Sequence, residues 1–540
     1  MTARNGKSAL CELTALGGIT VLTLLMGLLS ACQKQDGQTI TGDTQEIVDT
    51  LAARLDVVDR RLAQETWRMA AEGQSDSLAF MTGLRRELLT NEGTFSALRG
   101  GRNRLSDDLV RRRYDLVYAR MLEARLCYGH GLAKLYDSLI DFHSGNWCRF
   151  DDQVRDAADL RRLMATSDRR TDRELAFRAL NTPDSRVVDQ TGRLLRLRNQ
   201  TAKRMGYNDC FSLLMSAANL RTDDYRRMID DIDAVTRPAW DSLMIGLQTK
   251  LQANVGQLEV WDWEHDFKRP VSEVNQYFPV DSQLNILRSS MAGLGFRLDA
   301  LPIYMLVDTS VPERSSTVLI VDVPDDVRVI CHLTDGAAGM SRLLGQVGQA
   351  LYAVSVSQEE PAFKRLLSPE MLEGIRLYFA QLVRNKQWLT TYAAVPSDVA
   401  DRYLKAAHAD EQYRLRMLLV GAAFEREAYD NPNQDLGMLY WRLFDSYTGL
   451  PRHDDLSPWA SSVQLVDEPL GSYVALAGAV IAAQTEGALT RQYGAPVNKP
   501  DVRAFLLQNY FRFGSRYQWR ELLERGTGEE LSPRYLAPSH

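Results

Sequence analysis

Histidine and cysteine, the residues best suited to metal binding and nucleophilic catalysis, are few and scattered in this chain. Its 540 residues include seven histidines and six cysteines. No two histidines share a helical turn, and the chain lacks Cys-x-x-Cys, Gly-x-Ser-x-Gly and phosphate-binding glycine motifs. Zinc ribbons, disulfide oxidoreductases, serine hydrolases of the Gly-x-Ser-x-Gly type and P-loop enzymes all depend on one of these patterns. The sequence therefore offers no complete catalytic or metal-binding set at a recognisable spacing.

One predicted helix, residues 338–355, has the setting of a metal site without its ligands. Five of its positions read Gly345-Gln346-Val347-Gly348-Gln349. In zinc peptidases the corresponding pattern is His-Glu-x-x-His, where two histidines on one helical face bind zinc and the glutamate activates water. The apolar side chains of this helix lie on one face, which is typical of a helix in a protein core. They are Met340, Leu343, Leu344, Val347 and Leu351. The two glycines weaken this helix, each by roughly 1 kcal/mol relative to alanine.

The surrounding sequence resembles the zinc peptidyl-dipeptidases of the angiotensin-converting-enzyme type. Their helix reads H-E-M-G-H-x-x-Y, and Gly348 and Tyr352 match its glycine and tyrosine. Arg328 falls where the family has an arginine on a hairpin strand. Further matching stretches lie at 194–214, 258–267, 424–451, 458–484 and 513–536, so that the likeness covers about 45–540. The resemblance implies a mostly helical, two-lobed fold with a deep central channel and a small β-hairpin or sheet beside the active-site helix.

Position by position, the resemblance implies that the metal site is degenerate. The first zinc histidine falls on Gly345, the catalytic glutamate on Gln346 and the second histidine on Gln349. Glycine has no donor atom, and a glutamine amide is a poor zinc ligand and no general base. The third ligand survives as Glu373. Two simpler interpretations stay open: Glu373 is an ordinary paired or solvated carboxylate, and the two glutamines fill the emptied space by hydrogen bonding.

The family's transition-state residues are also replaced. The histidine falls on Gln464, and the tyrosine that assists it falls near Ser472 or Ala475. Tyr473 is adjacent, and a small shift of the alignment would let it serve as that tyrosine. His332 is the one histidine expected near the cleft, and as a lone histidine it is better interpreted as structural.

A β-hairpin is predicted directly before the 338–355 helix. Ser316–Val323 and the run that begins at Val327 are apolar and β-branched, on either side of a short polar turn. The resemblance implies that a strand of this kind pairs with the main chain of a bound peptide, which requires no metal. The candidate peptide-binding residues are Ser316, Thr317, Val318, Gln346, Gln349, Glu373 and Tyr473.

The N-terminus resembles a bacterial lipoprotein signal. Arg4 and Lys7 precede an apolar run, Ala15–Ala31, which ends in Leu-Ser-Ala-Cys. This pattern implies a signal peptide at 1–31, an acylated Cys32 that anchors the protein in a lipid bilayer, a tether at 32–44 and a helical domain at 45–540. Gln33 favours the outer membrane of the bacterial cell envelope. The alternative is an uncut membrane anchor, since the apolar run is near the lower limit for spanning.

The rest of the chain is predicted to be mainly helical. Apolar residues recur at helical spacing in 45–72, 105–140, 154–180, 186–216, 222–252, 282–294 and most of the chain after 338. The net charge of −6, with both signs interspersed, gives no basic patch for nucleic acid. Four tryptophans are expected in the core: Trp261, Trp263, Trp441 and Trp459. Export would permit disulfides among Cys127, Cys148, Cys210 and Cys331, with no pairing fixed by spacing.

The sequence therefore predicts a membrane-anchored pseudopeptidase without zinc or another cofactor. Its predicted role is to bind peptides or a protein partner in the channel. One alternative is an active metallopeptidase that uses an unrecognised metal site. Another is a structural scaffold whose channel is closed.

Overall fold

The computed structural model describes residues 39–129, 131–145, 147–151, 153–252, 256–268, 271–308 and 317–537. The predicted signal peptide, Cys32 and Ser316 lie outside the described residues. Within the described part of the chain, no helix is both long and apolar enough to cross a bilayer.

Helices α1 to α23 make up most of the described chain. In chain order they are Thr44–Glu72, Leu78–Thr90, Glu92–Leu98, Asp108–Tyr128, Leu132–Ser144, Ala157–Thr166, Arg170–Leu180, Ser185–Arg204, Cys210–Ala217, Thr222–Leu251, Val260–Lys268, Ser272–Asn275, Val280–Gly293, Ala337–Val354, Pro361–Arg365, Pro369–Ala380, Lys386–Tyr392, Ser397–Asp430, Leu436–Thr448, Val463–Asp467, Gly471–Tyr493, Asp501–Asn509 and Trp519–Thr527.

The strands form two small sheets. β1 (Trp147–Phe150) and β2 (Gln153–Asp156) pair antiparallel. β3 (Ile303–Asp308), β4 (Thr317–Asp322) and β5 (Asp326–His332) form a sheet in the order β3-β5-β4. β4 runs antiparallel to β5, and β3 runs parallel to β5. β4, which carries the predicted peptide-binding residues Thr317 and Val318, is therefore an edge strand of the sheet.

The predicted mostly helical fold, with a small sheet beside the Gly345 helix, is confirmed, and the β4–β5 hairpin is present. The described residues contain more strand than the predicted hairpin. β3 joins the same sheet, and β1 and β2 form a second hairpin, so that the first residues of the 154–180 stretch are strand and helix begins at Ala157. Strands of four residues are too short for alternation to be visible, and β3 pairs in parallel, so no tight turn marks it in the sequence.

Helix boundaries follow from local chemistry. α1 begins in a capping box, in which the Asp43 carboxylate accepts from the Glu46 amide and the Glu46 carboxylate accepts from the Asp43 amide. It ends at Gly73, whose φ of 74° lies in the left-handed region that favours glycine. α16 begins with Pro369 after Ser368, and the Ser368 hydroxyl donates to the buried Glu370 carboxylate instead of capping the helix.

Glycines allow α14, α16 and α21 to pack unusually closely. A β-carbon at Gly348 of α14 would lie 2.4 Å from the Phe379 ring of α16. One at Gly374 of α16 would lie 2.4 Å from Ile481 of α21, and one at Gly478 of α21 would lie 2.5 Å from Cγ of Glu373. Real β-carbons essentially never approach this closely. The three helices therefore form one tight layer.

The core residues behave largely as the sequence predicts. Trp261, Trp263, Trp441 and Trp459 are all buried. Tyr352 is fully buried, and its hydroxyl donates to the Gly514 carbonyl at 3.0 Å. The four cysteines within the described residues, Cys127, Cys148, Cys210 and Cys331, are free thiols, so no disulfide links them.

Candidate functional site

Gly345 lies directly against α16. A β-carbon at this position would stand 3.0 Å from both Cγ and the carbonyl oxygen of Arg376, and 3.4 Å from the β-carbon of Ala380. Two of these three neighbours belong to backbone or to the base of a side chain, which have little freedom to move. A side chain at Gly345 would therefore be crowded against α16, and its neighbours would have to shift by a few tenths of an ångström to admit it.

Glu373, the expected third ligand position, is paired with an arginine one turn along the same helix. Arg376 Nε donates to Oε2 of Glu373 and Nη2 donates to Oε1, both at 2.6 Å. The two side chains are 17% and 28% exposed, so the pair is largely withdrawn from water. This bidentate pairing engages both oxygens that a metal ion would use. Glu373 is thus a paired carboxylate, one of the two simpler interpretations of its role.

The two glutamines of α14 are half-buried. The Nε2 amide of Gln349 donates to the Leu372 carbonyl at 3.3 Å, which fastens α14 to α16. Gln349 thus makes the kind of structural hydrogen bond expected of an amide that fills an emptied site.

These residues do not fit a zinc ion. Gly345 has no donor, Gln349 binds backbone, and both oxygens of Glu373 bind Arg376. No group of three or more histidine, cysteine or acidic side chains within the described residues is arranged to hold a metal. His332 is buried on β5, with its Nδ1 3.4 Å from Asp308 on β3, and it belongs to the sheet.

The structure also contains a large open cavity. Its volume is about 1220 Å³, and its wall includes Gln464 and Ser472, two of the positions that the sequence resemblance aligned with the family's transition-state residues. Among the described residues that line it, none is Gly345, Gln346, Gln349 or Glu373. The structure therefore separates the predicted site residues into a closed helix layer and an open cavity wall.

Tyr473 lies away from this cavity. Its ring is buried and stacks on Tyr225 with 4.8 Å between ring centroids, and its hydroxyl accepts from Arg520 Nη2 at 3.1 Å. Tyr473 lines a separate small pocket together with Glu370. It thus faces a different side of α21 from Ser472 and does not share the cavity with Gln464.

The cavity has an apolar rim and an aromatic wall. Four large apolar side chains that line it are strongly exposed to solvent: Phe142 (41%), Val154 (66%), Leu175 (47%) and Val463 (44%). They come from four separate elements, α5, β2, α7 and α20. Behind them lie the largely buried rings of Phe150, Phe177, Tyr413, Phe424, Tyr440, Trp441, Phe444 and Trp459. Exposed apolar side chains that converge on a concave surface are typical of a binding site.

Burial raises the pKa values of three carboxyl groups on the cavity wall, those of Glu264, Glu425 and Glu468. Glu425 of α18 is buried, and both of its oxygens lie 3.0 Å from the backbone amide of Leu470, just before α21. Burial raises the pKa of Glu425 to about 7, although the Leu470 amide and the Arg198 charge oppose the shift. Burial, with the charges of Asp467 and Glu373, raises the pKa of Glu468. Glu373 therefore lies near enough to act electrostatically on the cavity wall.

A buried arginine positions the segment that carries Gln464. Arg198 of α8 has no exposed surface. It donates to the carbonyl oxygens of Leu126, Leu465 and Val466 and to the Tyr429 hydroxyl. Two of these carbonyls belong to α20, so one side chain fixes the short helix that carries Val463 and Gln464 on the cavity wall.

The β4 edge is only partly accessible. Arg365 donates to the carbonyl oxygens of Ile320 and Val321 at 2.6 and 3.0 Å, and it also binds Asp56. The guanidinium thus covers the C-terminal half of the strand. Thr317 is exposed and Val318 is half-buried, so a pairing peptide would be confined to the first part of β4.

Sequence reasoning missed Arg376, Glu425 and the cavity rim. The spacing of Glu373 and Arg376 is a visible signal, because residues three apart meet on a helix surface. For the rim there is no local signal, because its residues come from distant parts of the chain. Within the predicted set, the structure brings Gln349 and Glu373 to one helix pair and Gln464 and Ser472 to one cavity. It places Tyr473 apart from both groups.

The comparison with solved structures supports the fold. A scan of protein-family models and a search of curated proteins found no match. Among solved structures, the chain is similar to the M32 carboxypeptidase from Deinococcus radiodurans, with a TM-score of 0.58, 16% identity and coverage of 92% of this chain and 97% of that one. It is also similar to the Pyrococcus furiosus carboxypeptidase, with a TM-score of 0.60, 13% identity and coverage of 93% and 98%. For Trypanosoma cruzi metallocarboxypeptidase 1 the values are 0.58, 14%, 91% and 97%. The chain thus has a mostly helical metallopeptidase-type fold.

Proposed function

We propose that this protein is a catalytically inactive pseudopeptidase that binds peptides or a partner's polypeptide segment in its cavity. We assign it to the peptidyl-dipeptidase type on the sequence resemblance. The likeness to solved carboxypeptidases supports the broader metallopeptidase fold. We further propose that Cys32 is acylated and holds the protein at the outer membrane of the bacterial cell envelope, which rests on the N-terminal sequence pattern alone.

The proposed loss of peptidase activity rests mainly on the contact between Gly345 and Arg376. By the sequence resemblance, a zinc peptidase of this type would carry metal ligands on the helices that correspond to α14 and α16, with the ion between them. Here the two helices meet directly, with 3.0 Å between a β-carbon at 345 and Cγ of Arg376. Replacement of the general base by Gln346 removes proton abstraction as well. An active enzyme with another metal site would need a ligand cluster, and the described residues contain none.

The open cavity supports a binding role over a closed scaffold. The cavity volume of about 1220 Å³ is enough for several amino-acid residues. Pockets that bind small molecules are usually smaller than this. Its exposed apolar rim favours ligands with apolar side chains. We expect the ligand to be an extended polypeptide, because side chains on such a chain would reach the rim on one side and the aromatic wall on the other.

Peptide binding by designed variants tests this function. An apolar peptide and a glycine-serine peptide, matched in length and charge, are titrated into the protein and followed by fluorescence anisotropy. The rim variant carries Val154→Ser, Leu175→Ser and Val463→Ser. The control carries Val57→Ser, Ile245→Ser and Met438→Ser, which are equally exposed but lie off the cavity.

We expect the apolar peptide to bind and to remain uncleaved by mass spectrometry. The rim variant should bind it roughly tenfold more weakly or worse, because each lost apolar contact contributes about 1 kcal/mol. The control should match the parent. Binding that neither variant weakens, or cleavage of the peptide by the parent, would contradict the proposed function.

A further inference from the structure

We propose that the guanidinium of Arg376 takes the place of a metal ion in this fold, as a built-in cation on α16 beside its contact with α14. The inference goes beyond the proposed function, because it identifies the residue that keeps the site closed. It does not depend on ligand binding in the cavity.

The first argument is charge. Glu373 is 17% exposed, and a carboxylate in such surroundings is costly unless a cation is paired with it. In a metal site the ion supplies this positive charge. Here Arg376 supplies it, through two hydrogen bonds of 2.6 Å in the fork geometry that suits a carboxylate.

The second argument is volume. The side chain of Arg376 leaves its helix through the space that a side chain at Gly345 would need, since Cγ is 3.0 Å from the position of a β-carbon there. The absence of a side chain at 345 and the large side chain at 376 are therefore complementary. Removal of the Arg376 side chain would relieve one of the two 3.0 Å contacts that a side chain at 345 would make.

The third argument is rigidity. On the far side of Glu373, a β-carbon at Gly478 of α21 would stand 2.5 Å from Cγ of Glu373. On α14, Gly348 meets the Phe379 ring equally closely. Helices held this tightly on both sides cannot separate to admit both an imidazole and the arginine. Restoring the missing ligands without removing Arg376 should therefore fail to restore a metal site.

The test uses three variants of the full chain. The first restores the ligands and base with Gly345→His, Gln346→Glu and Gln349→His. The second adds Arg376→Ala. The third adds Arg111→Ala instead, which removes an arginine that pairs with Asp108 at the same spacing on α4. Zinc retained after desalting is measured, and Co²⁺ is added as a spectroscopic probe, because cobalt in a four-coordinate protein site has visible absorption bands.

The variant with Arg376→Ala should hold about one equivalent of zinc and bind it roughly tenfold or more tightly than the other two. Equal binding with and without Arg376 would overturn the inference. So would failure of the Arg376→Ala variant to bind metal while its circular dichroism and melting temperature match the first variant. Neither result would touch the proposed function, which concerns the unmodified site and the cavity.

A double-mutant cycle keeps the inference testable if the combined variant does not fold. Glu373→Gln and Arg376→Met are made singly and together in the otherwise unchanged protein. A built-in cation predicts that the double variant loses less stability than the sum of the single losses, because neither charge is then left alone. Additive losses would overturn the inference.

Discussion

The Cγ atom of Arg376 lies 3.0 Å from the point at which a side chain on Gly345 would begin. The same arginine holds both carboxylate oxygens of Glu373. The resemblance places the first zinc ligand at residue 345. A glycine at this position allows the close contact between α14 and α16.

The glycine contacts predict that a glycine-to-alanine substitution lowers the free energy of unfolding at some positions and raises it at others. Gly348→Ala would place a β-carbon 2.4 Å from the Phe379 ring and should lower the free energy of unfolding by about 1 to 3 kcal/mol, despite the better helix propensity of alanine. Gly345→Ala should be destabilising for the same reason, and by less, because its nearest contacts are 3.0 Å.

Gly246→Ala in α10 is the matched control. Gly246 is exposed, and a β-carbon there meets nothing within 4 Å. It should raise the free energy of unfolding by up to about 1 kcal/mol through helix propensity alone. Urea unfolding compares all three variants. Equal stability of the Gly348→Ala and Gly246→Ala proteins would show that α14 and α16 do not pack as described.

Helix positions and the altered ligands were predictable from local sequence. The amphipathic pattern and the capping residues Asp43 and Glu46 give α1 almost to the residue. Gly345 and Gln349 are identified by their spacing within one helix. The volume that Arg376 occupies was not predictable, because it depends on the distance between α14 and α16. The cavity rim was not predictable either, because Phe142 and Val463 are brought together only by the tertiary fold.

The buried Glu425 carboxyl predicts a pH dependence of stability. Its pKa is about 7 in the folded protein and near the usual 4.5 when unfolded. Between these values the folded state binds more protons than the unfolded state, so the free energy of unfolding falls as pH rises from about 4.5 to 7. Arg198 and the Leu470 amide oppose this effect without cancelling it.

Glu425→Gln should remove this contribution, because a neutral amide can still accept the Leu470 hydrogen bond. At pH 8 the variant should be more stable than the parent by roughly 1 to 3 kcal/mol, and near pH 4.5 the difference should vanish. Denaturant unfolding at both pH values measures it. The exposed Glu524→Gln controls for the loss of one charge. A Glu425→Gln protein less stable than the parent at pH 8 would mean that the charge is favourable where it lies.

Arg198 predicts a link between a buried side chain and the cavity. Lysine has a single ammonium group with three donors in place of the guanidinium fork, so it cannot serve all four acceptors. Arg198→Lys should therefore lower the free energy of unfolding by roughly 2 to 4 kcal/mol. Peptide affinity should fall as well, because the carbonyls of Leu465 and Val466 are released and α20 carries the rim residue Val463.

The exposed Arg193→Lys on the same helix is the comparison, and it should leave both properties unchanged. Thermal unfolding and anisotropy titration, carried out on each variant, give the two readouts. If Arg198→Lys lowers stability while peptide affinity stays at the parental value, α20 is not positioned by this contact.

Zinc content of the unmodified protein tests the central claim most directly. The purified full chain is incubated with Zn²⁺, desalted and analysed by mass spectrometry for bound metal. The closed contact between α14 and α16 predicts less than about a tenth of an equivalent, since one carboxylate paired with arginine and two amides cannot hold zinc. Close to one equivalent, lost on Glu373→Ala, would show that Glu373 binds metal and would contradict the pseudopeptidase.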